Sequence, residues 1–204
     1  MKVIPRRSIY RLSVYLRCLE RLRENNITTV SSEALSKAAG VKPTQLRKDL
    51  TYFGQFGTRG LGYPVNELSE KIIDALGTNH LQPVILIGVG NLGSALLAYK
   101  GFEKAGFEIV AAIDTDPKRK RSKEMPFPIG DLADLESTIQ SKKVKMAILT
   151  VPATSAQVVA NRLCAIGITA ILNFAPIILQ TPEFVIVNNV NLAIELENLS
   201  YFAR

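Results

Sequence analysis

A glycine-rich segment placed directly after an apolar run most restricts the fold of this chain. Val84 to Ile87 are four consecutive apolar residues, and such a run predicts a strand buried on both faces of a parallel sheet. The run is followed without a gap by Gly88-Val89-Gly90-Asn91-Leu92-Gly93. In the order strand, G-x-G-x-x-G, helix, this spacing predicts a dinucleotide-binding turn, whose middle glycine lets the backbone approach a pyrophosphate.

An acidic residue stands where ribose recognition is expected. The next apolar run, residues 108–113, ends at Asp114, which lies 21 residues after Gly93. A carboxylate at this position accepts hydrogen bonds from both ribose hydroxyls and repels a 2′-phosphate, so it favours NAD(H). The basic run at 118–121 is interpreted as a solvated loop, with a phosphate contact left as the alternative.

Strand and helix patterns alternate through the rest of the chain, which predicts an α/β fold with a doubly wound, Rossmann-type parallel sheet over residues 81–190. Ligands bind such sheets beyond the carboxyl ends of the strands. Two segments are predicted to lie there and to complete the cofactor site: Thr150-Val151-Pro152 and Asn173-Phe174. Residues 191–204 are predicted to form a separate C-terminal helix.

The first 80 residues predict a winged-helix domain. A first helix over 8–25 has an apolar stripe at Ile9, Leu12, Leu16 and Leu19. A second helix begins at the good N-cap residues Ser31 and Ser32 and ends at Gly40. A third helix over 44–53 follows after a tight turn, and this arrangement is typical of a helix-turn-helix.

The third helix separates an apolar face from a polar face, as a recognition helix requires. Leu46, Leu50 and Phe53 are expected to be buried. The polar side chains expected to contact DNA are Thr44, Gln45, Arg47 and Lys48. Arginine pairs well with guanine and glutamine with adenine in the major groove. The glycine-rich segment 54–63 predicts a hairpin wing, with Arg59 at its tip as a further DNA contact.

The distribution of charge supports a nucleic-acid partner for the first domain. Residues 1–80 carry 13 basic and 7 acidic side chains, a net charge of +6, whereas residues 81–204 carry 12 and 11, a net charge of +1. Neither a membrane span nor a secretory signal is expected. The two cysteines are expected to be reduced thiols. A cytoplasmic protein is therefore predicted.

The sequence offers no recognisable catalytic or metal-binding equipment. The one histidine, His80, lies in the predicted linker, and hydride-transfer enzymes usually place an acid or base beside the nicotinamide. We therefore expect a sensor and not an enzyme. Three alternatives remain: a small NAD(P)-dependent oxidoreductase with a helical appendage, a CoA- or nucleotide-binding module, and a ligand-independent architectural DNA-binding protein.

The sequence resembles the Rex redox-sensing repressors in order over nearly its whole length. The resemblance is carried by VSSEALSKAAGV, QLRKDLTYFGQFGTRGLGY, GVGNLGSALLAYKGF, TVPATSAQVVA, ILNFAP and VNNVNL. It implies a homodimer with a swapped C-terminal helix that binds AT-rich inverted repeats in double-stranded operator DNA. It also implies that NADH releases the repressor from DNA, whereas NAD⁺ is compatible with DNA binding.

The resemblance also implies a redox switch. Tyr99 would lie near the nicotinamide, and Arg17 would take part in a state-dependent contact between the domains. The family usually has an aspartate where this chain has Asn191. An amide keeps hydrogen bonding but loses the charge, so we expect the switch to be weaker here or built differently.

Overall fold

The computed structural model describes residues 4–54, 56–57, 61–118 and 127–203, and the chain divides into two compact units between His80 and Leu81. We call residues up to His80 the first unit and residues from Leu81 onward the second unit. Within the described residues, no helix is long and apolar enough to cross a bilayer.

The first unit consists of four helices and a two-stranded antiparallel sheet. Its elements are α1 (Arg6–Glu24), β1 (Thr29–Val30), α2 (Ser32–Ala38), α3 (Pro43–Leu50), β2 (Tyr63–Pro64) and α4 (Val65–Leu76). The core lies between α1, α3 and α4, where Leu12, Leu19, Leu46 and Ile72 are buried. This order of helices and strands agrees with the predicted DNA-binding domain.

The buried face of α1 differs from the predicted stripe in one residue. Leu12, Tyr15, Leu16 and Leu19 are buried, whereas Ile9 is 42% exposed. These four positions follow the i, i+3, i+4, i+7 rule of a helix face. The assignment of Ile9 to the core was therefore wrong, and Tyr15 takes its place.

The turn between α2 and α3 forms as its residues predict. The Ser31 hydroxyl accepts a hydrogen bond from the N–H of Ala34 and caps α2. Gly40 has a φ of +68°, which favours glycine, and Pro43 occupies the first turn of α3. The helix ends at Leu50, three residues earlier than predicted, and Phe53 is only partly buried.

The predicted wing is only partly within the described residues. Tyr63 pairs with Val30 in the antiparallel sheet, so β2 joins the strand before α2 and not the segment 54–57. A Cβ atom at Gly57 would collide with the carbonyl oxygen of Gly62, so these two glycines lie close together. Residues 55 and 58–60, including Arg59, lie outside the described residues.

The second unit is built around a five-stranded parallel sheet. Its elements are β3 (Gln82–Ile87), α5 (Asn91–Leu97), α6 (Gly101–Lys104), β4 (Phe107–Ile113), a 3₁₀ turn (Leu132–Asp134), α7 (Leu135–Ser141), β5 (Met146–Leu149), α8 (Ala153–Ala165), β6 (Ala170–Asn173), β7 (Ile186–Asn189) and α9 (Leu192–Phe202). The strand order is β4-β3-β5-β6-β7, and all four strand pairs are parallel.

The order of the strands creates a switch point between β3 and β5. The chain leaves β3 toward β4 on one side and later returns to β5 on the other side. Gly130, which belongs to no strand, also forms a single parallel bridge to Ile113, the last residue of β4. We interpret this bridge as the remnant of a third strand in the 3-2-1-4-5-6 order of dinucleotide-binding sheets, which bind ligands at the switch point.

Buried apolar residues cover both faces of the sheet. Ile85, Ile87 and Leu149 face one cluster with α7 and α8, whereas Val84 and Leu86 face the other. The continuous run of buried residues in β3 therefore arises as predicted, because alternate side chains point to opposite covered faces. The fold is α/β with a Rossmann-type sheet, as expected.

The C-terminal helix α9 stands apart from this core. None of its residues is buried, and six large apolar side chains on it are more than half exposed: Leu192, Ile194, Leu196, Leu199, Tyr201 and Phe202. A helix that exposes this much apolar surface has no partner within its own chain among the residues that the structure describes.

Candidate DNA interface and dinucleotide site

The glycine turn after β3 leaves no space for side chains at its first and last glycines. Gly88 has a φ of +94°, and a Cβ atom there would lie 2.9 Å from the backbone of Thr150. A Cβ atom at Gly93 would collide with the carbonyl oxygen of Gly88. These two glycines therefore allow the turn and the close packing of α5 on the strand.

The middle of the same turn faces open space. A Cβ atom at Gly90 would meet none of the described atoms within 4 Å, and its φ of −75° is unstrained. Gly90, Asn91 and Leu92 are exposed, and they form the start of α5, where backbone N–H groups have no helical partner. The geometry therefore fits the approach of a pyrophosphate to the backbone.

The Asp114 carboxylate lies beside this turn, at the end of β4. It accepts hydrogen bonds from the N–H of Val89 at 2.6 Å and from the N–H of Asp116 at 2.9 Å. The two bonds hold a half-exposed carboxylate at the edge of the glycine turn. The position beside the turn is compatible with ribose binding, which stays a prediction for Asp114.

The end of β5 supports the turn from the other side. The Thr150 hydroxyl donates a hydrogen bond of 2.6 Å to the carbonyl oxygen of Gly88. Val151 packs partly against the core, and Pro152 is exposed at the start of α8. Thr150 therefore shapes the turn, and the two following residues lie along its open edge.

The side chain of Asn173 fixes the segment that follows β6 by hydrogen bonds. Its side chain is fully buried, its oxygen accepts from the N–H of Ala175, and its amide group donates to Ala175, Ile177 and Asn189. Because its amide is occupied by these bonds, we assign Asn173 a positioning role. Phe174, the next residue, packs partly against the sheet.

Of the four α3 side chains predicted to contact DNA, two are exposed on the helix surface and two are hydrogen-bonded within the first unit. Thr44 and Lys48 are exposed on α3. The Arg47 guanidinium donates to the hydroxyl of Ser32 at 2.9 Å and lies 3.6 Å from the carboxylate of Glu33. Gln45 is half-buried and donates to Asp49.

Asp49 is a buried carboxylate that the sequence reasoning missed. Its side chain is 0% exposed and receives the Arg11 guanidinium at 2.5 and 2.7 Å and the Tyr15 hydroxyl at 2.8 Å. Burial raises the pKa of Asp49, but hydrogen bonds from Arg11, Tyr15 and others outweigh burial and lower the pKa to about 2. Burial and the bond to Asp49 together raise the pKa of Tyr15.

Among the described residues, no group of three or more histidine, cysteine, aspartate or glutamate side chains could hold an ion. The two candidate sites are thus an exposed basic helix face and a glycine turn at the switch point of a parallel sheet.

Comparison with known proteins identifies the family. A family model described as "Putative DNA-binding protein N-terminus" matches residues 3–51, and one described as "CoA binding domain" matches residues 79–177. The "Redox-sensing transcriptional repressor Rex" of Syntrophobacter fumaroxidans is 46% identical over 200 residues, which are 97% of this chain and 95% of the relative. The chain belongs to the Rex family of redox-sensing transcriptional repressors.

Other Rex proteins extend the match. The Streptomyces coelicolor repressor is 45% identical over 198 residues, which are 97% of this chain and 77% of that protein. Among solved structures, RSP in complex with beta-NAD⁺ and operator DNA matches with a TM-score of 0.91 at 38% identity, covering 100% of this chain and 94% of that one. RSP with beta-NADH matches with a TM-score of 0.87 at 37% identity, covering 100% and 95%. These relatives are described as repressors, which agrees with the expectation of a sensor.

The three residues of the predicted Rex switch are each held within their own unit. Arg17 is exposed and pairs with Glu20 one turn along α1 at 2.8 Å. Tyr99 lies beyond the end of α5, is 60% exposed and contacts the ring of Phe102 edge-on at 5.1 Å.

Asn191 has a local role that the sequence reasoning did not anticipate. Its side-chain oxygen accepts hydrogen bonds from the N–H groups of Ala193 and Ile194 and caps α9. Asparagine and aspartate are about equally good N-caps. The departure from the usual Rex aspartate therefore leaves the start of the helix intact and changes only the charge there.

Proposed function

We propose that this Rex protein represses transcription by binding inverted-repeat operators and that binding of NADH releases it. The observation that carries the proposal is that one chain combines an exposed recognition helix with a dinucleotide turn at a sheet switch point. An enzyme would not need the recognition helix, and an architectural DNA-binding protein would not need the dinucleotide turn.

The DNA contacts are assigned to the exposed face of α3. Thr44, Gln45, Arg47 and Lys48 would reach base edges or phosphates, and Arg59 would contact DNA from the wing. The family resemblance supports AT-rich operators. Two recognition helices about 34–36 Å apart are needed to read the two halves of such a repeat.

A homodimer supplies the second recognition helix, and we assign its contact to α9. The apolar side chains of this helix are more than half exposed, which is unusual for a helix without a partner. The test is sedimentation of a Leu196→Glu, Leu199→Glu variant beside a Glu195→Gln control. The double variant is expected to sediment as a monomer and the control as a dimer. If the double variant is still a dimer, α9 does not form the interface.

The dinucleotide is assigned to the turn between β3 and α5. Gly88, Val89, Gly90, Asn91, Leu92 and Gly93 would surround the pyrophosphate, and Asp114 would bind the adenosine ribose. Thr150, Val151, Pro152 and Phe174 would line the nicotinamide side, with Asn173 holding Phe174 in place. Tyr99, Arg17 and Asn191 are proposed to take part in the switch.

The response to redox state follows from linkage. A ligand shifts a conformational equilibrium only by its difference in affinity for the two states. The protein must therefore bind NADH more tightly in the state that cannot bind DNA, and operator DNA must weaken NADH binding by the same factor. Since operator DNA lies in the cytoplasm of bacteria, we place the protein there.

A gel shift with an AT-rich inverted repeat tests the function. The protein alone and the protein with NAD⁺ are expected to shift the DNA, and NADH is expected to abolish the shift. The NADH affinity should then be measured with and without operator. Equal affinities would show that the two sites are not coupled, and absence of any shift at moderate salt would remove DNA binding itself.

A further inference from the structure

The amide of Gln45, one of the α3 residues proposed to contact DNA, is held by a hydrogen bond within the first unit. Its Nε2 atom donates a hydrogen bond of 2.9 Å to the Oδ1 atom of Asp49, one helical turn further along. Asp49 is fully buried, so its position is set by the core and not by solvent. The rotation of the Gln45 side chain is therefore restricted by a buried anchor.

The anchor is rigid because every acceptor position on Asp49 is used. The Oδ2 atom accepts from Arg11 Nε and from the Tyr15 hydroxyl, and the Oδ1 atom accepts from Arg11 Nη2 and from Gln45. An ionised carboxylate offers about four acceptor sites, and these four donors fill them. Arg11 and Tyr15 both belong to α1, so the carboxylate joins the two helices.

The anchor also determines which end of the amide faces Asp49. An ionised carboxylate only accepts hydrogen bonds, so the NH₂ group of Gln45 must face it and the carbonyl oxygen must point away. The low pKa of Asp49 keeps the carboxylate ionised at neutral pH. Among the described residues, the second N–H and the carbonyl oxygen of the amide have no protein partner.

The two remaining groups match one base. Glutamine recognises adenine in the major groove by donating one N–H to N7 and accepting one hydrogen bond from N6. One N–H and one carbonyl oxygen are what Asp49 leaves available. A side chain that is held in place also loses less conformational entropy when it meets the base.

We propose that Asp49, held by Arg11 and Tyr15, is a specificity-determining positioning residue that orients the Gln45 amide to read one adenine of the operator. This rests on the proposed function, because it requires that α3 enters the major groove. It adds to that function a residue that never touches DNA and yet sets the preference for one base pair.

The test measures base preference and not only affinity. Operators that carry each A·T pair replaced in turn by G·C are titrated with the wild-type protein and with Gln45→Ala, Asp49→Asn and the double variant. Asp74→Asn, an exposed acid on α4 of the same unit, controls for the change in net charge. Fluorescence anisotropy of labelled DNA gives each affinity.

Gln45→Ala is expected to lose discrimination at one A·T pair by about 5- to 100-fold. Asp49→Asn should lose discrimination at the same pair, and the double variant should lose no more there than either single variant. Asp74→Asn should keep it. If Asp49→Asn weakens all operators by one common factor, Asp49 serves the fold alone and the proposal is overturned.

Two further results distinguish a failure of the Asp49 proposal from a failure of the proposed function. A wild-type protein that binds no operator would overturn the proposed function, and this proposal with it, before any variant is compared. If Asp49→Asn does not fold, the side-chain amide of Gln45 in the free wild-type protein is measured by NMR. An order parameter of about 0.6 or higher for the side-chain amide supports the anchor, and one below about 0.6, in the flexible range, overturns it.

Discussion

The carboxylate of Asp114 accepts a hydrogen bond from the N–H of Val89 at 2.6 Å, which joins the end of β4 to the glycine turn after β3. The two residues are 25 positions apart, and the bond forms because β3 and β4 are neighbours in the parallel sheet. The group assigned to ribose binding is thus attached to the backbone assigned to pyrophosphate binding. A change at either residue should affect both parts of the site.

Replacing Asp114 by alanine should weaken NADH binding and leave operator binding without NADH unchanged. The variant loses the acceptor of the ribose diol and the bond to Val89, so we expect at least a tenfold higher dissociation constant, or about 1.4 kcal/mol. Calorimetric titration with NADH measures this. The control is Asp116→Ala, which removes a neighbouring carboxylate, and an unchanged NADH response of Asp114→Ala would refute the ribose assignment.

Gly90→Ala should mainly lower NADH affinity, whereas Gly93→Ala should mainly lower stability. A methyl group at Gly90 meets open space and an unstrained backbone, so the free energy of unfolding should change by less than about 1 kcal/mol while NADH affinity falls. A methyl group at Gly93 collides with the Gly88 carbonyl and should cost about 1–3 kcal/mol of stability.

Thermal denaturation together with NADH titration separates the two glycine variants. Gly90→Ala should unfold at nearly the wild-type temperature and bind NADH poorly. A Gly90→Ala protein that binds NADH normally would show that the pyrophosphate does not approach the turn at this residue.

Arg47 and Lys48 should differ in how they affect operator binding. If the guanidinium of Arg47 reads a base edge, as proposed, Arg47→Ala should cost about 1–3 kcal/mol and relax the preference at one base pair. If Lys48 neutralises a phosphate, Lys48→Ala should weaken all operators alike and reduce the slope of log affinity against log salt by about 1. Titrations at several salt concentrations distinguish them, and a uniform effect of Arg47→Ala would reassign it to the backbone.

Local patterns in the sequence predicted the strand, glycine turn and helix to which the dinucleotide is assigned. The glycine spacing and Asp114 depend on one strand-turn-helix unit and the next strand, so short-range reasoning reaches them. Phe174 and Thr150 were predicted to line the site because strand ends meet at one edge of a parallel sheet. What the sequence did not reveal is that Thr150 and Asn173 act on the backbone beneath the site.

Longer-range relationships escaped the same reasoning. Asp49 is 38 positions from Arg11, and a charged residue on a short helix is ordinarily taken as exposed. Only the packing of α1 against α3 makes it a buried anchor, and the same packing replaces Ile9 by Tyr15 in the core. The pairing of Tyr63 with Val30 likewise depends on contacts between segments that are far apart in the sequence.

Asn191→Asp should make the protein more sensitive to NADH. Aspartate keeps the cap on α9 and restores the charge that the family usually has at this position. If that charge forms a charge-assisted hydrogen bond in the NADH-bound state, a gain of about 1.5–3 kcal/mol corresponds to at least a tenfold lower NADH concentration for half-release. Release of labelled operator during NADH titration measures it, with Asn188→Asp as control; equal midpoints would show that the amide suffices.

The buried carboxylate of Asp49 should make the first unit sensitive to acid. Its pKa is lowered from 3.8 to about 2 in the folded protein, so folding favours the ionised form. The stabilisation is fully present above about pH 5, where the carboxylate is ionised in both states, and it is lost as pH falls toward 2. The pKa difference corresponds to about 2 kcal/mol of unfolding free energy.

Comparison with Asp49→Asn isolates this contribution from that of the other carboxylates. Urea unfolding followed by circular dichroism is measured for both proteins at pH 4 and at pH 2. At pH 4 the wild-type protein should have a higher free energy of unfolding than Asp49→Asn. This difference between the two proteins should be smaller by about 2 kcal/mol at pH 2. Glu67→Gln, an exposed acid paired with Lys71, should show little change, because exposed pairs contribute less than about 1 kcal/mol. A difference between wild type and Asp49→Asn that stays constant with pH would show that Asp49 has an ordinary pKa and is not the ionised anchor of α3.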